Sequence, residues 1–427
     1  MNSNKLPLLQ QADLKDKIVL VRVDHNVVKK GFINDPYRID STLGTIFYIV
    51  SHGGKPILMT HVGRPKDKKS GSITISPESS VEPIVQYLYE KLHMKFEIPK
   101  FIPNGDAGYA GIDTSINHLI SDLKSGKIDG VYLPNTRWFA GEEAKGEVAD
   151  RFAYQLAGLA DIYVNDAFGS WQPHVSTFGI TKHLPSYAGF LLQKEIQNLD
   201  RIFAPEKPFV AVVAGSKFDT KIDSLFTLLE KADYLVLGGV IYNAYLSAKY
   251  GIEIKGLDND DIEHAKRFVE FASKYSDKLI ELPYIVESDI IDGKTEGKFR
   301  THDIRTLKKG TKLNYVLDIS KESFKEKAVL ETFMSAHTIF INAVMGFTPN
   351  FSEGTIALDE LIDQNINAMK LYAGGDTMEE LKRLLPGIYL MAIDNPKYYM
   401  FTGGGAVLKA IEQGNAYGLE PVKALIK

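Results

Sequence analysis

Short apolar, β-branched runs alternate along this chain with longer amphipathic stretches, and that alternation restricts the fold more than any other feature. Strands spaced by helical patterns can pair in parallel, because the helix supplies the crossover that parallel pairing needs. Runs at 18–23, 56–60, 130–133 and 161–165 read as buried strands, with helices at 42–51, 81–92 and 147–160. After Tyr187 the alternation restarts, with strands at 209–213, 234–237, 278–282, 337–341, 369–372 and 398–401 and a helix at 221–230. A chain of 427 residues is too long for one compact core and suits two. The expected fold is therefore α/β, with two doubly wound, parallel-sheet (Rossmann-like) lobes at 1–187 and 188–409, and the helical pattern at 192–203 as the connecting helix. The polar segment 66–76 reads as a mobile surface loop and 104–117 as an irregular insertion.

Composition narrows the function by exclusion. The net charge of −4 offers no global basic field for nucleic acid, so any anion site must be local. With no cysteine there is neither a disulfide framework nor a thiolate metal site. No run of about 18 apolar residues suggests a membrane span, and the first residues lack a charged start followed by an apolar stretch. A cytoplasmic protein is expected.

Four polar clusters close apolar runs in the first third: Arg22-Val-Asp24-His25-Asn26, Tyr37-Arg38, His61-Val-Gly-Arg64-Pro65 and Asn135-Thr-Arg137. The carboxyl ends of parallel strands open on one edge, where ligands bind. Arginines, a histidine, an aspartate and an asparagine gathered there would cradle a small anion bearing hydroxyls. Taken singly, each has a plainer reading: Arg38 and Arg137 as surface ion-pair residues, His61 as a structural histidine, Asp24 and Asn26 as turn formers. Their joint placement favours a site.

The second half carries a different chemistry. Ala214-Gly-Ser-Lys217-Phe-Asp-Thr-Lys221 follows a strand and opens a helix, which would put Lys217 and Lys221 on one face at the helix start. Ala373-Gly-Gly-Asp376-Thr377 and Thr402-Gly-Gly-Gly405 also sit between strand and helix. Glycines there let backbone N–H groups approach a polyphosphate, and Asp376 reads either as a magnesium contact or as a helix N-cap. There is no Gly-x4-Gly-Lys-Ser/Thr loop, no Gly-x-Gly-x-x-Gly fingerprint after a strand and no His-Glu-x-x-His. A nucleotide would need another phosphate grip.

These residues, in order, resemble the phosphoglycerate kinase family over nearly the whole chain. Val21-Arg-Val-Asp-His-Asn26 is similar to the family's VRVDxN, His61-Val-Gly-Arg-Pro65 to HLGRP, Asn135-Thr-Arg137 to ENxRF and Tyr163-Val-Asn-Asp-Ala-Phe-Gly169 to YVNDAFG. Gly215-Ser-Lys-Phe-Asp-Thr-Lys-Ile222 resembles GAKVxDKI, Leu237-Gly238-Gly239 the IGGG loop, and Asn342-Ala-Val-Met-Gly346 NGPMG. The loops holding Gly374, Gly375, Asp376 and Thr377, and Gly403 and Gly404, are also similar. The resemblance implies a monomer with its triose on the first lobe and its nucleotide on the second, and a last segment, from about 410 to 427, returning to the first lobe. It implies reversible phosphoryl transfer between 1,3-bisphosphoglycerate and ADP, giving 3-phosphoglycerate and ATP with Mg2+, in lobes that close. By the same resemblance Arg38 and Lys217 would flank the moving phosphoryl, with N–H donors at Gly374 and Gly375. Asp24, Asn26 and His61 would bind the glycerate, and Arg64 and Arg137 its distal phosphate. Gly215, Lys221, Gly238, Gly239, Asn342, Thr377, Gly403 and Gly404 would surround the nucleotide, and Asp376 would engage the metal.

The chain departs from the family pattern in places. After Ala-Phe-Gly the family typically has T-A-H-R-A-H, whose arginine contacts the distal phosphate, whereas here Ser170-Trp-Gln-Pro-His174 is shorter and lacks it. Pro349 stands where a nucleotide-ribose acid is expected, Pro134 replaces the acid of ENxRF, and D-I-G-P reads Asp318-Ile-Ser-Lys321. Loss of one charge-assisted phosphate bond costs about 1.5–3 kcal/mol. Two rival readings follow: a kinase for another small phospho-acid, and a non-catalytic nucleotide-binding paralogue.

Overall fold

The structure is a computed structural model and describes residues 6–426. The chain forms two compact units, one running to Ile196 and taking up Tyr417 onward, the other Gln197–Ala416. The boundary falls inside the helix Phe190–Phe203. That helix starts earlier than its apolar pattern because the Phe190 amide is held by Thr45 Oγ1 at 2.8 Å.

The first unit is built on a six-stranded sheet whose pairs are all parallel. Its spatial order is Phe96–Glu97, Gly130–Tyr132, Lys55–Met59, Ile18–Val23, Ile162–Asp166, Ser186–Ala188. Every residue of Ile18–Val23 is buried, as befits a central strand covered on both faces. Val21 lies opposite Leu58 on one side and Val164 on the other. Val19, Ile46, Ile49, Ile84 and Leu88 join these in one core, each aliphatic side chain contributing about 1.5–3 kcal/mol on burial. From Ile18–Val23 the chain first builds to one side and then to the other, so the sheet's switch point lies between that strand and Ile162–Asp166.

The second unit repeats the plan with Leu279–Ile280, Tyr234–Gly238, Phe209–Gly215, Thr338–Asn342, Met369–Tyr372 and Tyr398–Met400, again all parallel. Its switch point lies between Phe209–Gly215 and Thr338–Asn342. A three-stranded antiparallel sheet, Tyr284–Ser288 with Phe299–Asp303 and Tyr315–Ile319, was not anticipated. Phe299–Asp303 is polar and largely exposed. Its antiparallel ladder fastens it, together with buried Glu287, which meets Arg300 at 2.8 Å and His302 at 2.6 Å. Hydropathy patterning cannot detect such a strand. The segment expected to be a mobile loop at 66–76 is a closed turn. Lys66 bridges Ile73, and the Asp67 carboxylate accepts from the amides of Lys69 and Ser70 at 2.9 and 2.7 Å.

Candidate active site

Arg22 sits in the middle of an apolar run, yet it is only 1% exposed. Its Nε donates to Ser176 Oγ at 2.8 Å, one terminal nitrogen reaches Ser170 Oγ at 3.3 Å and His61 Nδ1 at 3.0 Å, and the other donates to the Val23 carbonyl. None of these partners is a carboxylate. The guanidinium faces a cavity of about 480 Å3, also lined by Asn26, Lys29, His61, Arg64 and Arg137. Because a guanidinium only donates, Nδ1 of His61 must accept, leaving the proton on Nε2. Burial and then the Arg22 charge hold His61 well below the usual imidazole range, so it is neutral. Asn26 Oδ1 accepts from the Gly63 amide at 2.8 Å, and Arg137 donates to the Gly63 carbonyl at 2.7 Å. The strand end and the two arginine loops are thereby tied together.

Asp24 and Arg38 pair outside that lining, Oδ2 to a guanidinium nitrogen at 3.4 Å. Burial alone would raise the Asp24 carboxyl. The guanidinium charges, Arg38 before Arg22, outweigh it and keep the group ionised below its ordinary value. Arg38 stands on a one-turn helix, Tyr37–Asp40, with 29% of its side chain exposed. His25 turns inward to Tyr132 and Thr42, and burial pushes it down to about 3. Asn135 is structural, its amide bonding Val62 and Ser79.

In the second unit a cavity of about 530 Å3 opens at the switch point. Gly215, Lys221, Gly239, Asn342, Gly374, Gly375, Asp376 and Thr377 line it. Lys221 donates to the Ala214 carbonyl and Asn342 Oδ1, while Asn342 Nδ2 donates to the Ala373 carbonyl at 2.7 Å. Burial pushes the Lys221 ammonium down to about 8, opposed by Asp376. The first-turn amides of the helix Gly375–Leu384 have no intrahelical acceptor and give this wall a positive end.

Three expectations change here. Lys217 and Lys221 do not share a helix face, because the helix begins only at Ile222. Phe218 is buried and its amide bonds Asp261 at 2.6 Å, which turns the loop so that Lys217 is exposed and outside the lining while Lys221 points in. Asp376 is the second helical residue, so it is not the N-cap, a place taken by Gly374. Gly238, Gly403 and Gly404 lie outside the lining, and Gly238 and Gly404 pack behind it. A Cβ on Gly404 would lie 2.5 Å from Gly374 Cα, and one on Gly238 would lie 2.2 Å from Met345 Sδ.

Two cavities at the two switch points, one cationic and one framed by glycines and a lysine, can be set beside known proteins. The family model for phosphoglycerate kinase matches residues 9–414. The chain belongs to the phosphoglycerate kinase family. It is 32% identical to the phosphoglycerate kinase of Clostridium botulinum (strain Eklund 17B / Type B) over 96% of this chain and 97% of that one. With the enzyme of Moorella thermoacetica it shares 32% over 95% of each chain. Among solved structures, phosphoglycerate kinase from Coxiella burnetii superposes with a TM-score of 0.76 at 27% identity, covering 99% of both chains. The fold is also that of phosphoglycerate kinase from Pyrococcus horikoshii OT3, with a TM-score of 0.76 at 24% identity.

Against the phosphoglycerate kinase family pattern, the departure at 170–174 forms part of the cationic cavity's wall, as Trp171, Gln172 and His174. Arg22, expected only as a member of the first polar cluster with no role of its own, and Lys29, which no cluster contained, line the same cavity. An arginine inside a strand-like apolar run is the signal that could have found the first, since a buried charge requires partners.

Proposed function

We propose that this protein is a working phosphoglycerate kinase, moving a phosphoryl group between 1,3-bisphosphoglycerate and ADP to give 3-phosphoglycerate and ATP. The observation that carries the reading is the pairing, within one chain of this family, of a cationic cavity at the first switch point with the Lys221 and Gly374–Gly375 cavity at the second. Phosphoryl transfer asks a protein mainly for positioning and for charge at the moving group. In this reading Asp24, Asn26 and His61 hold the glycerate, and Arg64 and Arg137 hold its distal phosphate. Arg22 keeps that cavity cationic although the 170–174 loop has no arginine. Arg38 and Lys217, both with solvent-facing side chains, flank the transferred group, and the amides of Gly375–Leu384 receive its oxygens.

Lys221 and Asn342 hold nucleotide phosphate. A metal arriving with the nucleotide fits the donors present. Asp376 offers one carboxylate on the helix's first turn, and no cluster of three or more acidic or histidine side chains that could hold an ion exists among the described residues. Mg2+ binds in that manner, through one carboxylate and phosphate oxygens, and when bound neutralises phosphate charge.

The test is a coupled assay with 3-phosphoglycerate and MgATP on the wild type, Arg38→Ala and Lys217→Ala. Turnover that falls at least about 10²-fold in both variants is expected. No turnover at saturating substrates overturns the reading. Trp171 and Gln172 in the cavity wall favour one second reading, a kinase for a different small phospho-acid, and a screen of carboxylate acceptors with ATP separates the two.

A further inference from the structure

The cavity of the second unit has two chemically distinct ends. At one, Lys221, Asn342 and Gly374 are linked by hydrogen bonds or close approach. On the reading above, this end takes the phosphates. At the other, Val240, Val316, Leu317 and Phe347 form an apolar wall, made continuous by the 2.7 Å bond from the Phe347 amide to the Leu317 carbonyl. A flat heteroaromatic base buries itself on such a surface.

Asn243 interrupts that wall. It lines the cavity, is 6% exposed, and donates through Nδ2 to the Val316 carbonyl at 2.8 Å. A peptide carbonyl only accepts, so this bond fixes which end of the amide is NH2 and leaves Oδ1 as the polar atom available to the cavity. The neighbouring carboxylate of Asp318 is already committed to the amides of Ile319 and Gly354. A buried acceptor beside an apolar base slot discriminates strongly, because the wrong base leaves it unpaired or faces it with another acceptor.

We propose that Asn243 reads the nucleobase, accepting a hydrogen bond from an exocyclic amino group, so that the site selects a 6-aminopurine nucleotide over its 6-oxo counterpart. The inference rests on the nucleotide-binding reading of this cavity. Its test compares MgATP with MgITP as phosphoryl donors to 3-phosphoglycerate, since the two bases differ only on that edge, where the amino group becomes an oxo group and N1 gains a proton. The wild type is expected to favour ATP about tenfold or more in kcat/KM. Asn243→Leu should lower the ATP value about five- to tenfold, chiefly through KM, and leave the ITP value within about twofold. The ratio then collapses towards one.

Asn243→Ala, which cannot overfill the site, should collapse the ratio in the same way. A purely structural role through the Val316 bond would lower the melting temperature but not the ratio. A wild-type ratio near one, or a ratio unchanged in whichever variant folds, overturns the inference. Calorimetry with ADP and IDP on the wild type separates the two levels. No ADP binding defeats the nucleotide reading itself, whereas equal binding of ADP and IDP defeats only the role of Asn243.

Discussion

Arg38 holds the buried carboxylate of Asp24 at 3.4 Å while keeping part of its side chain in solvent, where it can meet a phosphoryl oxygen. Arg38→Ala is therefore expected to lose at least about 10²-fold in kcat. It should also lower the melting temperature, because Asp24 keeps a buried charge with one cation fewer. Adding Asp24→Asn should recover the melting temperature and not the rate, and differential scanning calorimetry beside the assay would show both. Lys221 makes a prediction in pH. Its ammonium lies at about 8 through burial, and bound phosphate favours the charged form. ADP binding then takes up a proton above that pH, and affinity should fall as pH rises through 8, by at most about tenfold per unit. Calorimetric titrations at pH 7 and 9 test this; equal affinities would remove Lys221 from the phosphate.

At the scale of elements, the two glycines at the start of the helix Gly375–Leu384 should behave differently. Gly374 has φ +115°, and a Cβ there would lie 2.8 Å from Asn342 Nδ2, whereas nothing lies within 4 Å of a Cβ on Gly375. Gly374→Ala is expected to lower both melting temperature and nucleotide binding. Gly375→Ala should melt like the wild type, so that any effect is read in turnover or in KM for the nucleotide and not in stability. The 170–174 loop offers its own readout, because the chain has two tryptophans and of these only Trp171 lines the cationic cavity. Titration with 3-phosphoglycerate should change the intrinsic fluorescence, and Trp171→Phe should abolish the change. Most strands were legible to within a residue or two. Ile18–Val23 and Met369–Tyr372 match their apolar runs, because central parallel strands are buried on both faces. The course of the loop at 215–221 was not legible, since the docking of Phe218 decides it and local spacing does not.

Across the whole molecule, buried carboxylates couple stability to pH. Burial pushes Asp166, Asp318 and Asp359 each up to about 7. Unfolded, each would titrate near 3.9. Between those values the folded chain binds more protons, so these groups contribute stability that is present at about pH 4 and is lost as pH rises to about 7. Asp359 is buried, with the Tyr372 hydroxyl at 3.0 Å. Asp359→Asn should narrow the difference in melting temperature between pH 5 and 7.5, and an unchanged difference would count against the burial argument. Both lobes of parallel sheet, the order of the motifs and the family could be read from sequence alone, because strand burial and the glycine-bearing loops after strands leave local patterns. Which side chains share a cavity was decided only by the tertiary structure. Arg22 becomes a cavity residue when His61, 39 positions away, and Ser176, 154 away, close around its guanidinium. Asn243 becomes one when Val316, 73 positions on, takes its amide hydrogen. A side chain's type and spacing carry its chemistry, but the partners that aim it arrive from distant strands, and only folding brings them together.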